Sequence, residues 1–316
     1  MSIRQANAHR RAVPAALAVL VAVVACGSDL PGGDLADYEA SIHEWRDARR
    51  AALLKPTGYV SLVGIYWLDR ESTRFGAAAD NDIVFPGDAA PYIGEFRITP
   101  DGVLLVPQGV VDLREEDRPV SGSVLIADDT TERPVMIRHR SLAWTISKRD
   151  GRYAVRLHDF ENPALAVFPE LPYFPIDPDW QLTARFERYP EPRIADVETV
   201  VEGLGYHPEA PGRVIFEVGG DSYDLEAYAS GDRLFFVFAD RTSGRETYGA
   251  GRFLYAAAPG EDGETVLDFN RAYSPPCAFN DFSTCPIAMP RNRLPIGITA
   301  GEQYEPAAYV GTASIH

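Results

Sequence analysis

Cysteine is nearly absent from this chain: Cys26, Cys277 and Cys285 are the only three in 316 residues. That scarcity excludes a disulfide-dense scaffold and a cysteine-rich zinc module. The six histidines are isolated in sequence, and no H-E-x-x-H pair is present. His43, His139, His158 and His207 read as surface or hydrogen-bonded residues rather than ligands. The phosphate loop G-x-x-x-x-G-K-[ST], the dinucleotide fingerprint G-x-G-x-x-G and the nucleophile elbow G-x-S-x-G are all missing. Basic residues are short as well, 30 against 46 acids, for a formal net charge of -16. Such a chain has no electrostatic attraction for nucleic acid or anionic lipid surfaces. After the first 25 residues no apolar run is long enough to span a bilayer.

Those first residues are themselves informative. Arg4, Arg10 and Arg11 precede the apolar run Ala12 to Ala25, the pattern of an export signal. The run ends in Val23-Val24-Ala25-Cys26, which resembles the bacterial lipobox. The resemblance implies cleavage before Cys26 and acylation of its thiol; an ordinary secretory signal is the other reading. The polar stretch Gly27 to Asp34 then serves as a tether, and residues 26–33 are assigned to it. Loss of residues 1–25 removes three arginines and takes the charge from -16 to -19. The expected location is therefore outside the cytoplasm, on a lipid anchor, and Gly27 after the cysteine implies the outer membrane in a Gram-negative cell.

Export permits disulfides. With Cys26 lipidated, Cys277 and Cys285 are left as one pair. A bridge between them closes a nine-residue loop and stabilises by roughly 2–3 kcal/mol in the chain-entropy model. A metal site and a reactive thiol are alternatives, although no histidine or third cysteine lies close in sequence. No metal and no cofactor is expected.

Residues 34–55 read as a helix. Asp34 suits the N-cap, Leu35, Tyr38, Ile42, Trp45 and Leu53 fall near one stripe, and Pro56 stops it. From there the pattern is β. Short alternating runs rich in β-branched and aromatic residues recur through Tyr59–Leu68, Leu142–Asp159, Trp180–Tyr189 and Arg213–Val218. Asp150-Gly151 marks a tight hairpin turn. The fold class is mostly β: two fused sandwich- or barrel-like halves, residues 56–167 and 168–316, preceded by one helix. The Pro-rich stretch Phe168 to Trp180 is the crossing between them.

The stretch Arg74 to Ile98, with Asn81-Asp82-Ile83, resembles the start of a forkhead-associated domain, a β-sandwich. Ala77 follows Gly76 where that family has arginine, and no Ser-x-x-His occurs, so phosphopeptide reading is not implied. Longer blocks carry a second resemblance. They are EWRDARRAALLKPTGYVSLVGIYWL, FGAAADNDIVFP, YFPIDPDW, ETYGAGRFLY, LDFNRAYSPPCAF with TCP, and NRLPIGITAGE, spread over residues 44–304. Together they resemble the bacterial family known as domain of unknown function 1684. The resemblance implies an exported, mostly β protein and no established reaction. Ser274 stands where the family pattern has Asn.

Polar residues crowd into the last third. Asp240, Glu246, Tyr248 and Arg252 lie in one block, Asp268, Asn270, Arg271 and Tyr273 in the next, and Asn292, Arg293 and Glu302 follow the cysteine loop. The chain from Arg252 to Asn270 reads as a hairpin turning at Gly260 to Gly263, which brings Arg252 and Asp268 to one open end bordered by the cystine loop. Three readings stay open for this cluster. It is a structural network of hydrogen bonds. Or it is a pocket in which Tyr248, Arg252, Asn270, Arg271, Tyr273, Asn292 and Arg293 bind a small ligand or an envelope protein, an arginine clamping an anion. Or it is a hydrolase site with Glu246 or Asp268 as acid/base and Arg252 stabilising an oxyanion.

Overall fold

The computed structural model describes residues 35–306. The signal, the tether, Cys26 and Asp34 lie outside the described residues. Helix α1 (Leu35–Leu53) is followed by β1 (Leu62–Trp67), β2 (Ser72–Gly76), β3 (Ile83–Val84), β4 (Gly94–Thr99), β5 (Gly102–Pro107), β6 (Arg114–Glu115), β7 (Arg118–Pro119), β8 (Val124–Ile126), β9 (Ile137–His139), β10 (Leu142–Arg149) and β11 (Arg152–Asp159). These strands form two sheets, ordered β1-β11-β10-β9-β6-β7 and β3-β2-β4-β5-β8. Their alternating residues face one another in a sandwich core containing Phe75, Phe96, Trp144, Val155 and Leu157. β10 and β11 turn at Asp150 and Gly151, whose φ values of 48° and 75° suit the primed turn that this dipeptide favours.

A short helix α2 (Ala164–Val167) opens the crossing. The second half holds β12 (Gln181–Ile194), β13 (Val197–Glu198), β14 (Gly205–Tyr206), β15 (Glu209–Val218), β16 (Asp221–Ser230), β17 (Arg233–Phe238), β18 (Arg252–Ala257) and β19 (Glu264–Asp268). Six of them form one sheet in the order β18-β17-β16-β15-β12-β19. The sheet curls until its two edge strands approach each other, and it encloses Phe216, Phe236, Phe238, Leu254 and Leu267.

The pairing of the last two strands differs from the hairpin expected of them. β18 and β19 are joined by the turn at Gly260 to Gly263, where Gly260 N donates to Glu264 O at 2.9 Å. They do not form a hairpin ladder: β19 pairs antiparallel with β12 from Gln181↔Asp268 to Arg185↔Glu264. The long strand β12 offers β19 a full edge, and curling the sheet this way brings the two end strands beside each other without a ladder between them. Arg252 and Asp268 still sit at the same end, as the hairpin reading required.

Helix α1 lies across that end. Its stripe is inward at Ile42 and Leu53, half-buried at Tyr38 and Trp45, and exposed at Leu35. Three arginines on its inner side donate to the body: Arg46 to Phe174 O at 3.0 Å, Arg49 to Ser274 O at 2.8 Å and Arg50 to Phe168 O at 3.1 Å. Leu53 joins Val60, Phe168, Leu171, Ala278 and Phe279 in the apolar seam between helix, crossing and cysteine loop. No helix among the described residues is long and apolar enough to cross a membrane.

Candidate functional site: an arginine-lined cleft beside a closed barrel end

Arg252 begins β18, but its side chain has no exposed surface. One guanidinium nitrogen donates to Asp240 Oδ2 at 2.8 Å and to Ile298 O at 2.9 Å; another donates to Ala300 O. Asp240 Oδ1 accepts from Thr242 N at 2.8 Å and Thr242 Oγ1 at 2.6 Å. The group pins the segment 298–300 to the barrel. Burial pushes the Arg252 pKa below its usual value, and the neighbouring Asp240 carboxylate opposes that.

Asp268, Asn270 and Arg271 lie together, apart from Arg252, and helix α1 completes the group. Tyr38 OH donates to Asp268 Oδ1 at 2.9 Å and accepts from Asn270 Nδ2 at 2.8 Å. Asn270 also holds both backbone groups of Asp177, with bonds of 3.1 and 2.7 Å. Arg271 pairs with Asp268 Oδ2 at 3.0 Å and reaches Ser41 Oγ at 2.9 Å. Burial, then the Asp268 carboxylate, drives the Tyr38 hydroxyl above the usual range. Further along the helix, Arg49 meets Glu302 Oε2 at 3.3 Å and lies 4.5 Å from the Tyr273 ring centre. Burial raises the Glu302 carboxyl above the usual range, with Arg49 pulling the other way. Gly301 delivers Glu302 here with φ of 80°; a Cβ on it would sit 2.5 Å from Ala272 O. Tyr248 donates to Cys277 O at 3.2 Å. Glu246 and Arg293 are exposed and join none of these bonds through their side chains.

Asn292 leads elsewhere. β17 covers β16 only from Tyr228 to Ser230, which leaves the ladder open at Glu226. The Asn292 amide fills that gap. It accepts from Glu226 N at 2.8 Å and donates to Glu226 O at 3.0 Å and Val237 O at 3.1 Å. The carboxylate of Glu226 is thereby fixed, and three side chains converge on its Oε1. Tyr189 OH donates at 3.0 Å, Arg291 Nη1 at 2.7 Å, and Arg193 through Nε at 3.1 Å and Nη2. The register shift in β12 runs from Arg188 to Arg193, so Tyr189 lies within it and Arg193 at its end, and Pro190 and Pro192 supply no ladder donors there. Burial and the bond to Glu226 push the Tyr189 hydroxyl up to about 12.

Arg193, Glu226 and Arg291 border an open cleft of about 380 Å³, walled by Ile194, Val197, Tyr228, Met289 and Pro290. Glu226 is only 3% exposed in its side chain, whereas Arg193 and Arg291 are 50% and 46% exposed. Glu226 is shared between the two guanidinium groups, whose remaining donors stay in water, and with Asp196 also lining the cleft its two acids match its two arginines. Asp196 stands at the rim, 91% exposed and 3.4 Å from His207 Nδ1. Cys277 and Cys285 are bridged, with Cα atoms 6.2 Å apart. Cys285 and Met289 pack in the apolar cluster behind the cleft with Val197 and Tyr228, while the loop closed by the bridge does not line the cleft itself. Tyr189, Arg193, Glu226 and Arg291 are not singled out by the sequence, which points to the neighbours Asn292 and Arg293 instead; the one signal is an acid at 226 set between the apolar pair Leu225 and Ala227. Among the described residues no group of three or more His, Cys, Asp or Glu is placed to hold a metal ion.

The architecture defines a two-part, mostly β protein: a sandwich joined to a nearly closed sheet, with a helix sealing one end and a cleft on the side. The chain belongs to the family described as protein of unknown function (DUF1684), whose model matches residues 166–303. The blocks before residue 166 lie outside that match. No curated protein matches the chain. A similar solved structure is the solution NMR structure of an uncharacterized protein of Haloarcula marismortui, 34% identical, covering 43% of this chain and 77% of that one with a TM-score of 0.37.

Proposed function

We propose that this is a lipid-anchored cell-envelope protein that binds a small ligand carrying an anionic head group in the Arg193–Arg291 cleft. The observation that carries the reading is the convergence of two half-exposed arginines and Tyr189 on one buried carboxylate oxygen. Glu226 holds both guanidinium groups in fixed positions, and each keeps hydrogens in water for a ligand. The apolar walls suit the body of a small organic acid. Cys26 and the charged-then-apolar leader support export and acylation. The acidic chain disfavours nucleic acid as a partner.

The alternative of an envelope hydrolase using Glu246 and Asp268 with Arg252 has less support. Glu246 is at the surface, Asp268 is engaged by Tyr38 and Arg271, and Arg252 is enclosed. A thermal-shift screen of organic carboxylates and phosphates on the protein starting after Cys26 tests the binding reading. Shifts that disappear in Arg291→Ala support it; shifts that survive both Arg291→Ala and Arg193→Ala reject it. For the anchor, labelling with a fatty-acid analogue is expected to vanish in Cys26→Ser, and persistent labelling rejects the assignment.

A further inference from the structure

Strand β11 carries Arg156 on the sheet face opposite the sandwich core, between Ile65 of β1 and Thr145 of β10 in the ladder. Its Nε has no exposed surface and no acceptor. Among the described residues no carboxylate lies within ion-pair distance of it and no oxygen accepts from its nitrogens. The titratable groups whose charge bears on it are Tyr59, Arg149 and Asp129. The one acid among them, Asp129, is already occupied by Arg149 at 2.7 Å, Ser147 Oγ at 3.0 Å and Lys148 N at 2.9 Å. Two positions along on the same face, His158 is held with Nδ1 2.9 Å from Ser61 Oγ. Burial, and then the Arg156 charge, keep that imidazole neutral.

An arginine that merely laid its stem on apolar surface would keep its whole head group in water. Here the Nε is enclosed without an acceptor while the terminal nitrogens stay open to a ligand, and a buried hydrogen bond left unmade is unfavourable. Shortage of acids is not the reason, because the chain has 46 against 30 Lys and Arg. The Thr145 hydroxyl, directly across the ladder, has no hydrogen bond either among the described residues.

We propose that Arg156 and the Thr145 hydroxyl bind an oxyanion group, a phosphate or a carboxylate, on the outer face of the sandwich sheet. The site lies in the other half of the molecule from the Arg193–Arg291 cleft and does not depend on it. The guanidinium fork supplies two parallel donors and Thr145 a third, a set that fits an oxyanion. Anion binding would place a negative charge beside His158.

The test titrates sodium phosphate and sodium acetate into the purified protein against sodium chloride at matched ionic strength. Melting temperature and the His158 imidazole resonance are followed in the wild type, Arg156→Gln, Arg156→Lys, Thr145→Val and Arg193→Gln. One of the two anions is expected to raise the melting temperature of the wild type and of Arg193→Gln, and the tighter of the two identifies the group. Arg156→Gln is expected to lose about tenfold or more in that affinity, the scale of one charged hydrogen-bonded contact. The bound anion is expected to move the His158 titration midpoint upward. Equal anion response in Arg156→Gln and wild type overturns the proposal, and so does a wild type that responds to neither anion above chloride. Arg156→Lys keeps the charge without the fork, so a folded reference remains if the glutamine variant misfolds.

Discussion

Arg252→Met is the sharpest probe of the closed barrel end. The substitution keeps most of the aliphatic volume and removes the guanidinium, with its ion pair to Asp240 and its bonds to Ile298 and Ala300. Both partners of the pair are fully buried. Asp240 is then left as a buried carboxylate facing an apolar side chain, and two carbonyls lose their donors. Removing one member of such a pair costs about 3–5 kcal/mol. For a protein of this size each kcal/mol lowers the melting temperature by roughly 2–4 °C, so a drop of roughly 6–20 °C is expected. Urea unfolding and calorimetry measure the loss. Arg252→Met with Asp240→Leu removes both charges and is expected to recover much of it, giving a large coupling energy in the double-mutant cycle. A single variant that costs under about 1 kcal/mol, or a double no more stable than the single, would refute the reasoning and reopen Arg252 as a ligand residue.

Three further outcomes are expected. His158 has its pKa lowered to about 4 from 6.5, chiefly by burial. The unfolded chain therefore binds a proton that the folded chain refuses, so this contribution is complete above pH 6.5 and lost as pH falls towards 4; His158→Gln flattens that part of the stability profile, and parallel profiles reject the account. Tyr38→Phe leaves Asp268 Oδ1 and Asn270 Nδ2 each short of a partner and is expected to cost about 1–3 kcal/mol in urea unfolding; a neutral result means that helix α1 does not seal the barrel end. The unfolded, unreduced protein is expected to show no free thiol among Cys277 and Cys285, and reduction to speed amide exchange in 285–292 more than in β10 and β11; uniform exchange rejects a local role for the bridge.

Much of the fold is legible in the residues. Alternation gives the strands, Asp150-Gly151 gives a turn with the required positive φ, and the cysteine count gives the bridge. Strand partnership is less legible. Gly260 to Gly263 specifies a reversal of the chain, but the hydrogen bonds of β19 go to β12, a choice made by long-range closure of the sheet. Helical periodicity also treats arginine as an outward residue, whereas Arg46, Arg49 and Arg50 point inward to carbonyls that the crossing and cysteine loop leave open. The cleft is the hardest feature to see. Tyr189 and Arg193 meet Glu226 across 37 and 33 positions, and Arg291 comes from 65 further on, so no local pattern joins them.

The crowding of polar residues in the last third has a physical origin that needs no chemistry. A sheet curled almost shut ends in strands whose last backbone groups have no ladder partner, and irregular chain laid across the end brings more of them. Asp240 answers the amide of Thr242, Arg252 the carbonyls of 298 and 300, Asn270 those of 177, Asn292 those of 226 and 237, and Glu302 the amide of 274. Side chains used in this way have little bonding capacity left for a ligand. Recognition needs the opposite arrangement, in which a charge is held by a buried partner while part of it stays in water. Arg193 and Arg291 meet that condition, and Arg252, although more prominent in the sequence, does not. Remaining donor capacity at a fixed position, rather than polar density along the chain, separates the residues that build this fold from those available to a ligand.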